Sequence, residues 1–185
     1  MEKENTGIAM AFLINFLGFQ IGWFACVLGA AYQKELLGIT IAIAIVVLHL
    51  YLQVDRRKEL WLIFAAVLIG LIWETWVLKL NILYYPSHSE ASFWAPHWLI
   101  MMWALFATTI NLSMGWLKGH WILAMLMGAV FGPLAFVAGE KLNAVVFLDQ
   151  TLSIVALSMG WGLLLPLLLW LAGRINNMDL WENVR

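Results

Sequence analysis

The chain has little of what a soluble or secreted domain uses. It carries one cysteine, Cys26, so no disulfide can close within it. Only 11% of its 185 residues are charged while 64% are hydrophobic, a balance too apolar for an ordinary soluble domain. A mean hydropathy of +0.88 agrees with this. There is no basic tract and the formal net charge is -1, so nucleic-acid binding has no support. A Gly-rich phosphate loop, a G-x-S-x-G elbow and a His-Glu-x-x-His motif are all missing. No two of the four histidines stand at i, i+4, so a metal centre is not expected, and no motif names a cofactor. Polar stretches are too short to form a separate soluble domain.

What the chain has is apolar sequence in runs of about twenty residues, the length that crosses a bilayer core as a helix. They predict an all-α polytopic membrane bundle of six spans in one integral-membrane domain, at roughly 8–31, 36–54, 60–80, 95–117, 119–139 and 151–172. The apolar stretch after Lys3 exceeds a signal core of roughly 7–15 residues, and Cys26 lacks the aliphatic residue expected three places before a lipidated cysteine. That stretch is therefore read as a retained first span. Twelve tryptophans suit a bilayer, because indole rings settle at its boundary with water. Six spans put Lys3, Arg56, Arg57, Lys58, Lys118, Arg174 and Arg185 on one side, and Lys34, Lys79 and Lys141 on the other. The side richer in Lys and Arg is cytoplasmic by the positive-inside rule, so both termini are expected there and the long loop 81–94 outside.

Small residues recur at helical spacing: Asn15, Gly18, Gly22, Cys26 (or Ala25) and Gly29 in span one, and Ala124, Gly128, Gly132, Ala135 and Gly139 in span five. Each series contains a Gly-x-x-x-Gly step, which lets helix backbones approach closely in lipid. Pro133 and Pro166 are expected to kink spans five and six. The pentapeptide LSMGW occurs at 112–116 and again at 157–161, a short echo that is first read as chance or shared packing.

Ionisable groups inside spans are costly, on the order of 2.5–3.5 kcal/mol at the centre, and so mark candidate sites. Glu74 is the sharpest, on the face of Ala66 and Gly70 and hence turned into the bundle. A carboxyl there can relay protons, hold a cation or fasten two helices. His49, Asn15 and Asn111 fall at similar depth toward the other end and are expected to form one polar cluster. His97, Thr108 and Asn111 lie near one face of span four. Gln20 stands opposite the small-residue stripe, facing either a cavity or a second neighbour. The histidines and acids His88, Glu90, His97, Glu140 and Asp149 gather with Glu74 on the outer side.

The blocks NFLGFQIGWFACVLGAA (15–31), APHWLIMMWALFATTINLSMGWL (95–117) and GPLAFVAGEKLNAV (132–145) resemble a family of small bacterial inner-membrane proteins classed as a domain of unknown function. The resemblance covers most of the chain and implies multi-pass insertion in the bacterial inner membrane. It also places Glu74 where that family carries an acid in its third span. Glu140-Lys141 departs from the smaller or singly charged residues expected there. It carries over no catalytic residue.

Three functions are open at this point. The first is a small transporter or proton-coupled permeation protein that uses Glu74. The second is an accessory subunit, whose glycine stripes hold a partner membrane protein or a second copy of the chain. The third is a membrane enzyme acting on lipid at the outer face, with Glu74 or Glu90 as base and His88 and His97 assisting.

Overall fold

In the computed structural model, residues 2–89 and 92–178 are described, with side chains from Met10 onward. Among the described residues six α-helices follow one another: α1 (Glu2–Ala31), α2 (Glu35–Leu52), α3 (Arg56–Lys79), α4 (His97–Ile110), α5 (Trp121–Lys141) and α6 (Gln150–Asn176). A 3-10 turn, Gly115–Leu117, lies between α4 and α5. Two short strands, β1 (Leu83–Tyr84) and β2 (Val146–Phe147), pair antiparallel with Leu83 opposite Phe147. The all-α expectation holds, and five of the helices are long and apolar enough to cross a membrane.

The fourth span differs from its expected course over 95–117. Helix α4 has 14 residues, about 21 Å at 1.5 Å per residue, well short of a ~30 Å hydrocarbon core. No proline stops it. Thr108 and Thr109 instead return their hydroxyls to the carbonyls of Leu105 and Phe106, at 2.7 and 2.6 Å, a local bond that competes with helix continuation. Asn111 and Ser113 are then drawn into tertiary bonds. Beyond the turn and the 3-10 segment the chain continues to α5, while Asn111 reaches residues at the start of α3 and the end of α6.

Other boundaries follow local chemistry. Asp55 caps α3 by accepting from Lys58 N, and Asp149 caps α6 by accepting from Leu152 N. Helices α3 and α5 end alike, with Asn81 (φ 53°) and Asn143 (φ 64°) in the left-handed region that asparagine tolerates. The bonds Ile82 N to Val77 O and Ala144 N to Gly139 O close both ends. These matched caps aim β1 and β2 at each other, so the outer loop expected to face water folds back and buries Leu83 and Tyr85. Its Glu90 lies outside the described residues.

Apolar helices of membrane length pack by close approach of their backbones. The glycine stripes provide it. Gly29 faces the backbone of Gly38, joining α1 to α2, while Gly128 and Gly132 lie on Trp161 and join α5 to α6. The outer surface stays apolar, with Ile72, Ile122 and Leu163 well exposed. Pro133 and Pro166 lie inside α5 and α6, which continue past them. The LSMGW echo has no structural counterpart: 112–116 runs through a turn into the 3-10 segment, whereas 157–161 is helical.

Candidate functional site

Glu74 exposes none of its surface, and its setting follows from the face it shares. Ala66, Gly70 and Glu74 stack one turn apart along α3. A Cβ at Gly70 would fall inside the Trp103 ring, so the missing side chain lets the indole of α4 lie against α3. Trp103 Nε1 thereby donates to Glu74 Oε1 at 3.1 Å. Tyr85, delivered by β1 and fully buried, donates its hydroxyl to Oε2 at 3.3 Å. Burial first, then the Glu74 carboxylate's charge and hydrogen bond, hold the Tyr85 phenol well above its ordinary range. It therefore stays an O–H donor.

Beside this acid lies a cavity of about 470 Å³, bounded by α1, α4, α5 and α6 and touching Glu74. Ligand pockets span roughly 300–1,000 Å³, so the space suits a small molecule. Its walls are aromatic: Trp23, Trp98, Trp103 and Trp161 with Phe19 and Phe106. Trp103 and Trp161 stack at 5.0 Å, and Phe106 meets Trp161 edge-on at 5.3 Å. The indole nitrogens of Trp98 and Trp161 are buried without a protein acceptor, and buried polar groups are normally paired. The cavity's α5 wall includes Phe131 and Leu134, both more than half exposed. Its α1 wall includes the half-buried Gln20 and Trp23. The cavity therefore opens on the flank of the bundle, between α1 and α5.

A second polar cluster occupies the opposite end. Its hub is Glu59, 6% exposed in the first turn of α3. Glu59 Oε2 pairs with His49 Nε2 at 3.2 Å, and Oε1 accepts from Asn111 Nδ2 at 2.6 Å. Asn111 Oδ1 in turn accepts from Lys118 Nζ at 2.5 Å and Asn176 Nδ2 at 3.0 Å. Burial draws the Lys118 ammonium below its usual pKa, partly offset by the Glu59 carboxylate. Asn15 bonds elsewhere, donating to Thr108 O at 3.1 Å and accepting from Ser113 Oγ.

The expected residues thus separate into distinct settings. Glu74 and Gln20 border the cavity. His49 and Asn111 meet, but only through Glu59, which hydropathy had assigned to the polar link before span three. Asn15 bonds instead to the adjacent Ser113. His97 opens α4 as an exposed residue, and Glu74 takes its hydrogen bonds from Tyr85 and Trp103. Glu140 accepts from Phe147 N at 3.3 Å and so steadies β2. Trp103, Trp161, Tyr85 and Glu59 are not marked as site residues by the sequence, and Lys118 counts there only toward orientation. Among the described residues, no three of His, Cys, Asp and Glu gather as a metal-binding group.

Fold and site together define an all-α bundle with membrane-length apolar helices and an aromatic cavity backed by one acid. The chain belongs to a family described as a protein of unknown function (DUF2878), whose model matches residues 12–167. Neither a curated protein nor a solved structure matches it.

Proposed function

We propose that this protein is a small carrier of the bacterial inner membrane, using the cavity as its binding site and Glu74 as its ionisable element. The observation that carries this reading is the aromatic cavity, which touches the acid and opens between α1 and α5. An opening on the flank admits molecules from the lipid phase, where apolar solutes concentrate. An ionisable residue inside a span that borders such a space is the usual mark of a substrate or proton path. The lipid-enzyme reading has His88 and His97 assisting the acid, whereas the hydrogen-bond partners of Glu74 are Tyr85 and Trp103.

Proteoliposomes loaded with neutral, cationic and anionic fluorescent amphiphiles test the proposal. At least one class is expected to leave faster than from empty vesicles when a pH gradient is imposed. Glu74→Gln is expected to reduce the gradient-dependent part about tenfold or more, the effect of ~1.4 kcal/mol at the barrier. Equal release from protein-containing and empty vesicles across the whole panel would remove the carrier reading.

On six spans the positive-inside rule puts both termini on the cytoplasmic side, since seven of the ten Lys and Arg residues fall in the segments it assigns there. Ser89 in the β1 loop then faces outward. A cysteine at Ser89 should react with a membrane-impermeant maleimide in intact cells, in a background lacking Cys26. Labelling only after the cells are broken would reverse the orientation.

A further inference from the structure

We infer that the cavity takes a lipophilic organic monocation, an aromatic or bulky ammonium or phosphonium, rather than an anionic or neutral amphiphile. This rests on the cavity being the carrier's binding site and adds the charge of what enters it. Among the described residues, Glu74 is the one ionisable side chain on the wall, and no Lys, Arg or His lines the space. Any charge the wall carries is therefore negative and single, which selects against anions and matches one positive charge.

The aromatic lining is arranged to use that charge. Indole faces attract cations through their quadrupole, most strongly where water is excluded. Four tryptophans surround the space, and the stacked pair Trp103–Trp161 forms one side of it. Trp103 donates its N–H to the acid behind it, which polarises the indole and enriches its face in electron density. Glu74 exposes no surface of its own, so it acts through Trp103 and through its field as a positioning residue. Met102, Met114 and Met127 add soft, adaptable contacts. Such a wall grips by charge and apolar area with little directional bonding, and so tolerates differently shaped cations.

Tetraphenylphosphonium and tetraphenylborate share shape and size and differ in the sign of charge. Each is equilibrated separately by dialysis against purified protein in a neutral detergent, with empty micelles subtracted. Saturable binding of the phosphonium at one site per chain is expected, at least about tenfold tighter than the borate. Glu74→Gln should weaken the phosphonium about tenfold and leave the borate unchanged, while Glu74→Asp restores part of the difference. Equal or tighter binding of the borate by the wild-type protein overturns the inference, as does saturable binding of neither ion. The wild-type comparison decides even where Glu74→Gln does not fold. Phosphonium binding without flux in proteoliposomes would leave the ligand class standing and remove the carrier reading. Flux of neutral and anionic dyes alongside weak phosphonium binding would do the reverse.

Discussion

Replacing Glu59 by Ala is expected to destabilise the bundle by about 2–6 kcal/mol, the desolvation cost of the two buried donors it leaves unpaired. The side chains of His49 and Glu59 are 4% and 8% exposed, so solvent screening does little to reduce this. The loss spreads because Glu59 joins three helices. Without it His49 Nε2 and Asn111 Nδ2 lose their acceptor, and Lys118, already disfavoured by burial, loses the acid that offsets the cost. Each unpaired buried group carries its own desolvation penalty of about 1–3 kcal/mol. Glu59→Gln keeps an oxygen for Asn111 and removes the charge, so a smaller loss is expected. Chemical denaturation in detergent, followed by tryptophan fluorescence, measures both. Phosphonium affinity should change little in either variant, since the cluster lies at the opposite end from Glu74 and independent sites act additively. A Glu59→Ala loss below about 0.5 kcal/mol would show that the buried network contributes nothing to stability.

The contrast between Glu74 and Glu59 shows what could be read from the chain. Glu74 interrupts a long apolar run, and its spacing from Gly70 and Ala66 fixes the face it occupies whatever the neighbours do. Glu59 follows Asp55, Arg56, Arg57 and Lys58, so by hydropathy it belongs to a polar link. Its burial arises only when α2, α4 and the 110s turn close over it. The break in α4 was hidden in a related way. Leu112, Met114, Trp116 and Leu117 sustain the apolar count, while Thr108, Thr109, Asn111, Ser113 and Gly115 between them carry the poor helix formers that end it. Tyr85 was out of reach for a third reason: its place depends on β1 pairing with β2, more than sixty residues further on. Gln20 was legible as an outlier, because a polar side chain opposite a packing stripe needs either a cavity or a partner. It borders the cavity.

The glycine stripe of α5 leads to the most position-specific expectation, because its members meet different obstacles. A Cβ at Gly128 would overlap the carbonyl oxygen and carbon of Trp161. That obstacle is helix backbone, so it cannot rotate away as a flexible side chain would. Gly128→Ala must therefore push α5 from α6, at a cost of about 1–3 kcal/mol for overpacking, and Gly128→Leu should prevent the pair from closing. Gly162, on the facing helix, is the internal control. A Cβ there meets Ala129 at 3.4 Å and Met125 O at 3.5 Å, ordinary contact distances that leave room for a methyl group. Gly162→Ala should accordingly be neutral, or stabilising by up to about 1 kcal/mol through helix propensity. The same shift that separates α5 from α6 carries Gly128 and Gly132 away from Trp161, on which they lie, and opens the α5 side of the cavity wall. Gly128→Ala should therefore lower the unfolding midpoint and phosphonium affinity together, while Gly162→Ala lowers neither. Equal effects at the two positions would mean that the α5–α6 contact is looser than this packing requires, and that the cavity wall does not depend on it.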